Sequence, residues 1–158
     1  MEYQFNTNSP EQTEKVGEAI CKYFRDNGKS EALIAMRGEM GVGKTAFVRG
    51  FCRPLGIRSV KSPTYTVVNA YAGDGCRIYH FDTYRIEGEE DLYSIGFEEY
   101  LCEKDAYSLI EWSERVEELL PRERYTVSIE RTDDGCGRKI TFTLPLGEKE
   151  GKNEALIL

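Results

Sequence analysis

Eight consecutive residues, Gly38-Glu39-Met40-Gly41-Val42-Gly43-Lys44-Thr45, constrain this chain more than any other stretch. They satisfy the pattern G-x-x-x-x-G-K-[ST], with a further glycine at Gly41. Glycines let a backbone curl until successive N–H groups converge on one point, which makes a concave seat for an anion. A helix starting at about Gly43 would add its unpaired N–H groups and its positive dipole end. The Lys44 side chain is then expected to reach the β- and γ-phosphates of a nucleotide, and the Thr45 hydroxyl to ligate Mg²⁺. Such a loop requires a buried strand before it and a helix after it. Ala32-Leu33-Ile34-Ala35-Met36 is a short apolar run suited to the strand, and Ala46 to Phe51 continues as the helix.

The rest of the chain arranges itself around that unit. Glu2 to Phe5 reads as a short strand. Ser9 caps a helix over Glu11 to about Asn27, with Pro10 at its first position and Val16, Ala19, Ile20, Tyr23 and Phe24 on its apolar side. Gly28-Lys29-Ser30 imitates the end of a phosphate loop, but no glycine stands at position 23 and it precedes a strand instead of following one. Thr64 to Tyr71 and Cys76 to Phe81 predict an antiparallel hairpin around Ala72-Gly73-Asp74-Gly75. Asp82 to Leu92 is polar and irregular before a short helix, and Phe97 to Cys102 predicts another. Ser108-Leu109-Ile110 is a second buried parallel strand. Ser113 to Leu120 predicts a short helix stopped by Pro121, and Tyr125 to Glu130 with Lys139 to Leu144 a terminal hairpin around Asp133-Asp134-Gly135. The expectation is an α/β chain of the P-loop NTPase fold, with a central mixed, mostly parallel sheet flanked by helices and bearing antiparallel hairpins. Residues 1–146 would form a single domain and residues 147–158 a loose polar tail.

Charge narrows the partners. The 158 residues carry 21 Lys and Arg against 28 Asp and Glu, a formal net charge of −7. Nucleic acids are held by surplus basic side chains, so this chain is not expected to be the main holder of one. Arg49, Arg53, Arg58 and Lys61 cluster in sequence, as a local basic patch or an ordinary solvated face. Five dispersed cysteines without C-x-x-C spacing fit reduced thiols, and with His80 as the only histidine a structural zinc site is not expected. No basic stretch followed by an apolar run opens the sequence, and nothing approaches the length of a membrane span. The expectation is a soluble, cytoplasmic protein.

Hydrolysing a nucleotide requires a second Mg²⁺ anchor and a group that orients water. Glu111 follows Tyr107-Ser108-Leu109-Ile110 and would emerge at the carboxyl edge of a buried strand, where open α/β sheets bind their ligands. The alternative is a surface acid that begins the next helix. Within His80-Phe81-Asp82-Thr83-Tyr84-Arg85, His80 and Asp82 fall on one side of a strand. An aspartate at a strand exit can hold an Mg²⁺-bound water or polarise the attacking one, which makes Asp82 a candidate. In Ser62-Pro63-Thr64-Tyr65-Thr66, Thr64 either brings an oxygen to the metal as switch loops do, or belongs to a plain turn. Trp112, the only tryptophan, packs on the sheet edge or covers the site, and packing is the simpler expectation.

Taken in order, Gly38 to Thr45, Ser62 to Thr66, His80 to Arg85 and Ile110-Glu111-Trp112 resemble the bacterial TsaE (YjeE) family over most of the chain. The resemblance implies a small ATPase that uses ATP and Mg²⁺. It would act with TsaB and TsaD in making N6-threonylcarbamoyladenosine in tRNA, and contact tRNA indirectly if at all. It further implies that Lys44 binds phosphate and that Thr45 and Glu111 ligate Mg²⁺. Asp82 and Thr64 would serve hydrolysis and switching, and Thr7 and Arg131 would flank the adenine. Glu39, Met40, Gly41 and Val42 complete the phosphate cradle. Met40 and Val42 stand where the family often has leucine and alanine, at variable apolar positions.

Two other functions fit a phosphate loop. A small-molecule kinase would need a basic lid over the phosphates, whereas Arg85 to Lys104 is acidic. A non-catalytic nucleotide-binding adaptor would keep the cradle without turnover. A GTPase fits less well, because there is no Asn-Lys-x-Asp motif and the D-x-x-G match at Asp134 to Gly137 falls in the terminal hairpin.

Overall fold

The computed structural model describes residues 1–63 and 66–158. Its strands are β1 (Glu2–Thr7), β2 (Ala32–Arg37), β3 (Val68–Gly73), β4 (Cys76–Asp82), β5 (Ala106–Glu111), β6 (Tyr125–Arg131) and β7 (Arg138–Thr143). Its helices are α1 (Pro10–Asp26), α2 (Lys44–Cys52), α3 (Glu89–Ser94) and α4 (Phe97–Leu101). The strands form one sheet in the order β1-β7-β6-β2-β5-β4-β3. The middle strands β6, β2, β5 and β4 run parallel, while β3, β7 and β1 add antiparallel edges. This is the expected mixed α/β sheet with its hairpins, the parallel pairs lying at the centre.

Alternation along the central strands divides the core between two faces. Ile34, Met36, Leu109 and Val127 join Val16, Phe24, Phe47 and Phe51 under α1 and α2. Ala35, Tyr79, Phe81 and Ile110 meet Leu92, Phe97, Val116 and Leu120 on the other side. All six residues of β5 are buried, as a strand covered on both faces must be.

α1 starts where expected, with Ser9 Oγ accepting from Gln12 N at 3.2 Å and Pro10 as its first residue. It crosses α2 at glycines: a Cβ on Gly50 would lie 1.9 Å from Glu14 O, and one on Gly17 2.2 Å from Phe47 O. Beside that crossing, the Glu14 carboxylate accepts from Arg49 at 2.8 Å and Arg53 at 2.6 Å. Burial alone would raise the Glu14 pKa, but the two guanidiniums outweigh it and hold the carboxyl below its ordinary range. Arg49 and Arg53 are thereby engaged within the protein.

Three segments differ from the sequence reading. The stretch expected as a helix over Ser113 to Leu120 is two 3₁₀ turns, Ser113–Arg115 and Glu117–Leu119. Trp112 leaves β5 in the left-handed region (φ 58°) and the Ser113 hydroxyl bonds Met36 O at 3.0 Å, which tightens the chain too soon for an α-helical nucleus. β3 begins at Val68 because Val67 has φ 64°, and the expected start at Thr64 lies outside the described residues. The segment from Gly147, expected to be loose, is fastened to α1. Asn27 exchanges hydrogen bonds with the Lys152 backbone at 2.8 and 2.9 Å, and Leu156 is buried in the core.

The five cysteines are free. Burial pushes the Cys21 and Cys52 thiols up to about 12, which keeps them protonated and inert. No described helix is long and apolar enough to cross a membrane.

Candidate nucleotide site

β2 ends at Arg37 and α2 begins at Lys44, so the glycine-rich segment forms the turn at the carboxyl edge of the parallel strands. Gly38, Gly41 and Gly43 take φ of 149°, 71° and 118°, which side-chain-bearing residues rarely adopt. At Gly38 space is also lacking, since a Cβ would come within 2.7 Å of Ile129 O. Val42 is buried beneath the loop while Met40 is exposed. The terminal hairpin braces the loop from outside: Arg138 Nε donates to Val42 O at 2.8 Å and Arg131 Nη2 to Met40 O at 3.3 Å. Lys44 is nearly buried, and its ammonium donates to the carbonyls of Gly38 and Glu39. Burial lowers its pKa, opposed by the charges of Glu111, Glu114 and Asp82.

The facing wall comes from the ends of β4 and β5, where Asp82 and Glu111 are register partners. Glu111 is 3% exposed. Its Oε1 accepts from Thr45 Oγ1 at 3.4 Å, and its Oε2 lies 3.1 Å from His80 Nε2. Asp82 Oδ1 accepts from Tyr84 N at 2.9 Å. Burial raises the Asp82 pKa; the Tyr84 N–H opposes this and the Glu111 charge adds to it. Thr83, fully buried, fixes the end of β5: its one hydroxyl hydrogen is shared between the carbonyl oxygens of Glu111 and Trp112, at 2.9 and 2.8 Å. Between the walls lies a cleft of about 460 Å³ that Lys44, Thr45, Asp82, Glu111 and Trp112 line.

Trp112 covers this cleft instead of packing on the sheet edge. Its ring centroid is 3.8 Å from Lys44 Nζ, a distance at which an indole face attracts a cation. The Tyr84 ring is 5.0 Å from Trp112, and the Arg115 guanidinium is 4.9 Å from Tyr84. Two neighbouring rings with a cation at each end therefore run from the loop lysine to the half-exposed edge of the cleft.

Lys44, Thr45, Asp82 and Glu111 are thus brought together, as their motifs suggested. Thr64 lies outside the described residues. Thr7 is buried, with its hydroxyl 3.0 Å from that of Thr13, so its side chain is engaged in the interior. A smaller cleft of about 150 Å³ beside Gly43 is lined by Asn8, Thr13, Cys136 and Arg138, whereas Arg131 opens on a separate cavity of about 550 Å³ with Arg37 and Glu130. The sequence reading missed Thr83, Ser113 and Arg138. Thr83 and Ser113 stand directly after residues it had singled out, and that adjacency was the available signal.

The donor set suits a hard cation. Thr45 and Glu111 offer oxygens 3.4 Å apart at the mouth of a phosphate loop. Among the described residues, no group of three or more His, Cys, Asp or Glu could hold a metal ion by itself. A partial oxygen set completed by phosphates and water is how Mg²⁺ is bound at such loops.

Comparison with known proteins agrees with this geometry. The profile of the family described as "Threonylcarbamoyl adenosine biosynthesis protein TsaE" matches residues 7–140. The chain is 38% identical over 141 residues to the tRNA threonylcarbamoyladenosine biosynthesis protein TsaE of Bacillus subtilis, covering 89% of this chain and 84% of that one. It is also 38% identical over 117 residues to the protein of that name from Haemophilus influenzae, covering 73% of each. Among solved structures, Bacillus subtilis YdiB superposes with a TM-score of 0.73 at 28% identity, covering 91% of this chain and 86% of that one. With the matched region running from the end of β1 into β7 and taking in every residue of the cleft, the chain belongs to the TsaE family.

Proposed function

We propose that the chain binds ATP with Mg²⁺ between the Gly38–Thr45 loop and Glu111, hydrolyses it, and acts with TsaB and TsaD homologues in the N6-threonylcarbamoyladenosine modification of tRNA. The observation that carries the ATPase reading is the Thr45–Glu111 contact at the end of a complete phosphate loop. The tRNA pathway and its partners rest on family membership. The loop amides and Lys44 hold the phosphates, and the start of α2 points its N–H groups at them. Mg²⁺, when bound, draws charge from the phosphate oxygens and fixes their geometry. Asp82 stands beside Glu111 with a raised proton affinity, placed to accept a hydrogen bond from a water. The net charge of −7 suits a subunit that meets tRNA through its partners, in the cytoplasm.

Turnover by the isolated chain is expected to be slow, with the partners completing the site. A tenfold stimulation needs only about 1.4 kcal/mol of transition-state stabilisation. The test is phosphate release with and without TsaB and TsaD homologues. Glu111→Ala is expected to reduce release on the order of 100-fold while metal-free nucleotide still binds. Equal release by the variant and the parent in the assembled complex would overturn the ATPase reading.

Trp112 supplies a second test. Phosphate that draws Lys44 away from the indole changes the surroundings of the only tryptophan, so its emission is expected to shift as ADP or ATP is added. Unchanged emission, where calorimetry shows saturation, would count against Trp112 as the cover of the cleft.

A further inference from the structure

His80 takes no part in the chemistry above, yet it is the only histidine and has no accessible surface. It sits on β4 opposite Leu109 of β5, two residues before Asp82, and so meets Glu111 diagonally across the strand pair. Its Nε2 is 3.1 Å from Glu111 Oε2. Neither ring nitrogen has a well-aligned hydrogen-bond partner among the described residues, and Nδ1 faces none at all. Leaving buried imidazole nitrogens unpaired is costly. A phenyl ring would fill similar space without that cost, as Phe81 does on the opposite face of the same strand. What the imidazole adds at this position is one N–H beside a buried carboxylate.

Glu111 has partners on two sides. Thr45 meets Oε1 and His80 meets Oε2. A carboxylate at the end of a side chain rotates, and Lys44 is near enough for the Glu111 charge to act on it. Holding one oxygen from behind fixes which lone pairs of the other face the cleft. We propose that His80 is a positioning residue: its Nε2, 3.1 Å from Glu111 Oε2, comes into line as a donor to that oxygen when the carboxylate turns to present Oε1, on the Thr45 side, to Mg²⁺. This rests on the metal reading of the preceding subsection. Hydrogen bonds behind metal-ligating carboxylates orient them, and their loss typically costs about 10- to 100-fold in metal affinity.

The experiment compares two amides that differ in reach. His80→Gln places an NH₂ near the Nε2 position, whereas His80→Asn reaches only as far as Nδ1. Mn²⁺ binding to the protein–ADP complex is read by electron paramagnetic resonance, with ADP affinity without metal and thermal unfolding measured in parallel. His80→Asn is expected to weaken Mn²⁺ binding about 10- to 100-fold, with metal-free ADP affinity within about twofold of the parent. His80→Gln is expected to recover most of the loss. Parental Mn²⁺ affinity in His80→Asn, or equal losses in both variants, would overturn the proposal. Glu111→Gln separates the two levels. If it leaves Mn²⁺ affinity unchanged, the metal reading fails; if it weakens Mn²⁺ binding while His80→Asn does not, only the positioning role fails.

Discussion

Replacing Lys44 with alanine is expected to weaken ATP binding by about 2–4 kcal/mol, on the order of 30- to 1,000-fold. The ammonium is nearly buried between the carbonyls of Gly38 and Glu39 and the face of Trp112. Phosphate exchanges these contacts for charge-assisted ones, and a short shift from the indole costs little ordering. Burial already lowers its pKa, so without an anion the charge is held under strain that a phosphate relieves. For the same reason the apo protein is expected to tolerate the change, with a melting temperature close to that of the parent. Isothermal titration calorimetry with and without Mg²⁺ measures the effect directly. An affinity within about threefold of the parent would remove Lys44 from the phosphate site.

Gly50→Ala is expected to cost about 3 kcal/mol or more, although alanine in place of a helical glycine ordinarily stabilises by about 1 kcal/mol. The new Cβ would lie 1.9, 2.5 and 2.6 Å from the O, C and Cα of Glu14, all of them backbone atoms. No side-chain rotation relieves such contacts. α1 must withdraw from α2, which also pulls Glu14 from Arg49 and Arg53 and opens the core around Phe47 and Phe51. At about 2–4 °C per kcal/mol for a chain of this size, the melting temperature is expected to fall by roughly 6–12 °C. Gly88, the residue capping the start of α3, where a Cβ meets nothing within 4 Å, is the control and is expected to change by no more than about 1 kcal/mol. Thermal and urea unfolding of the two variants decide the matter; a Gly50→Ala protein as stable as its parent would contradict the close crossing.

What could be read in the sequence was what is decided locally. The phosphate loop, the Ser9-Pro10 start of α1 and the buried run into Glu111 each depend on a few adjacent residues, and each lies where expected. Features that depend on register or on contacts between distant segments could not be read. Arg138 bonds the loop at Val42, a choice between hairpin residues that only the β6–β7 and β1–β7 pairings settle. The approach of His80 to Glu111 appears only once β4 and β5 are aligned. Trp112 takes its place over Lys44 through a left-handed backbone that nothing in the composition announces. Leu156 enters the core because Asn27 holds Lys152, across a long separation in sequence.

The crossing at Gly17 and Gly50 also assigns rigidity within the molecule. Two helices that touch through their main chains have no slack, so α2 and the loop residues at its start are fixed against α1. On the other bank of the cleft the backbone is pinned by Thr83 and Ser113, but the side chains of Tyr84, Trp112 and Arg115 meet only through ring and cation contacts. On the proposed function, movement during the nucleotide cycle is expected on that bank and not beneath the loop.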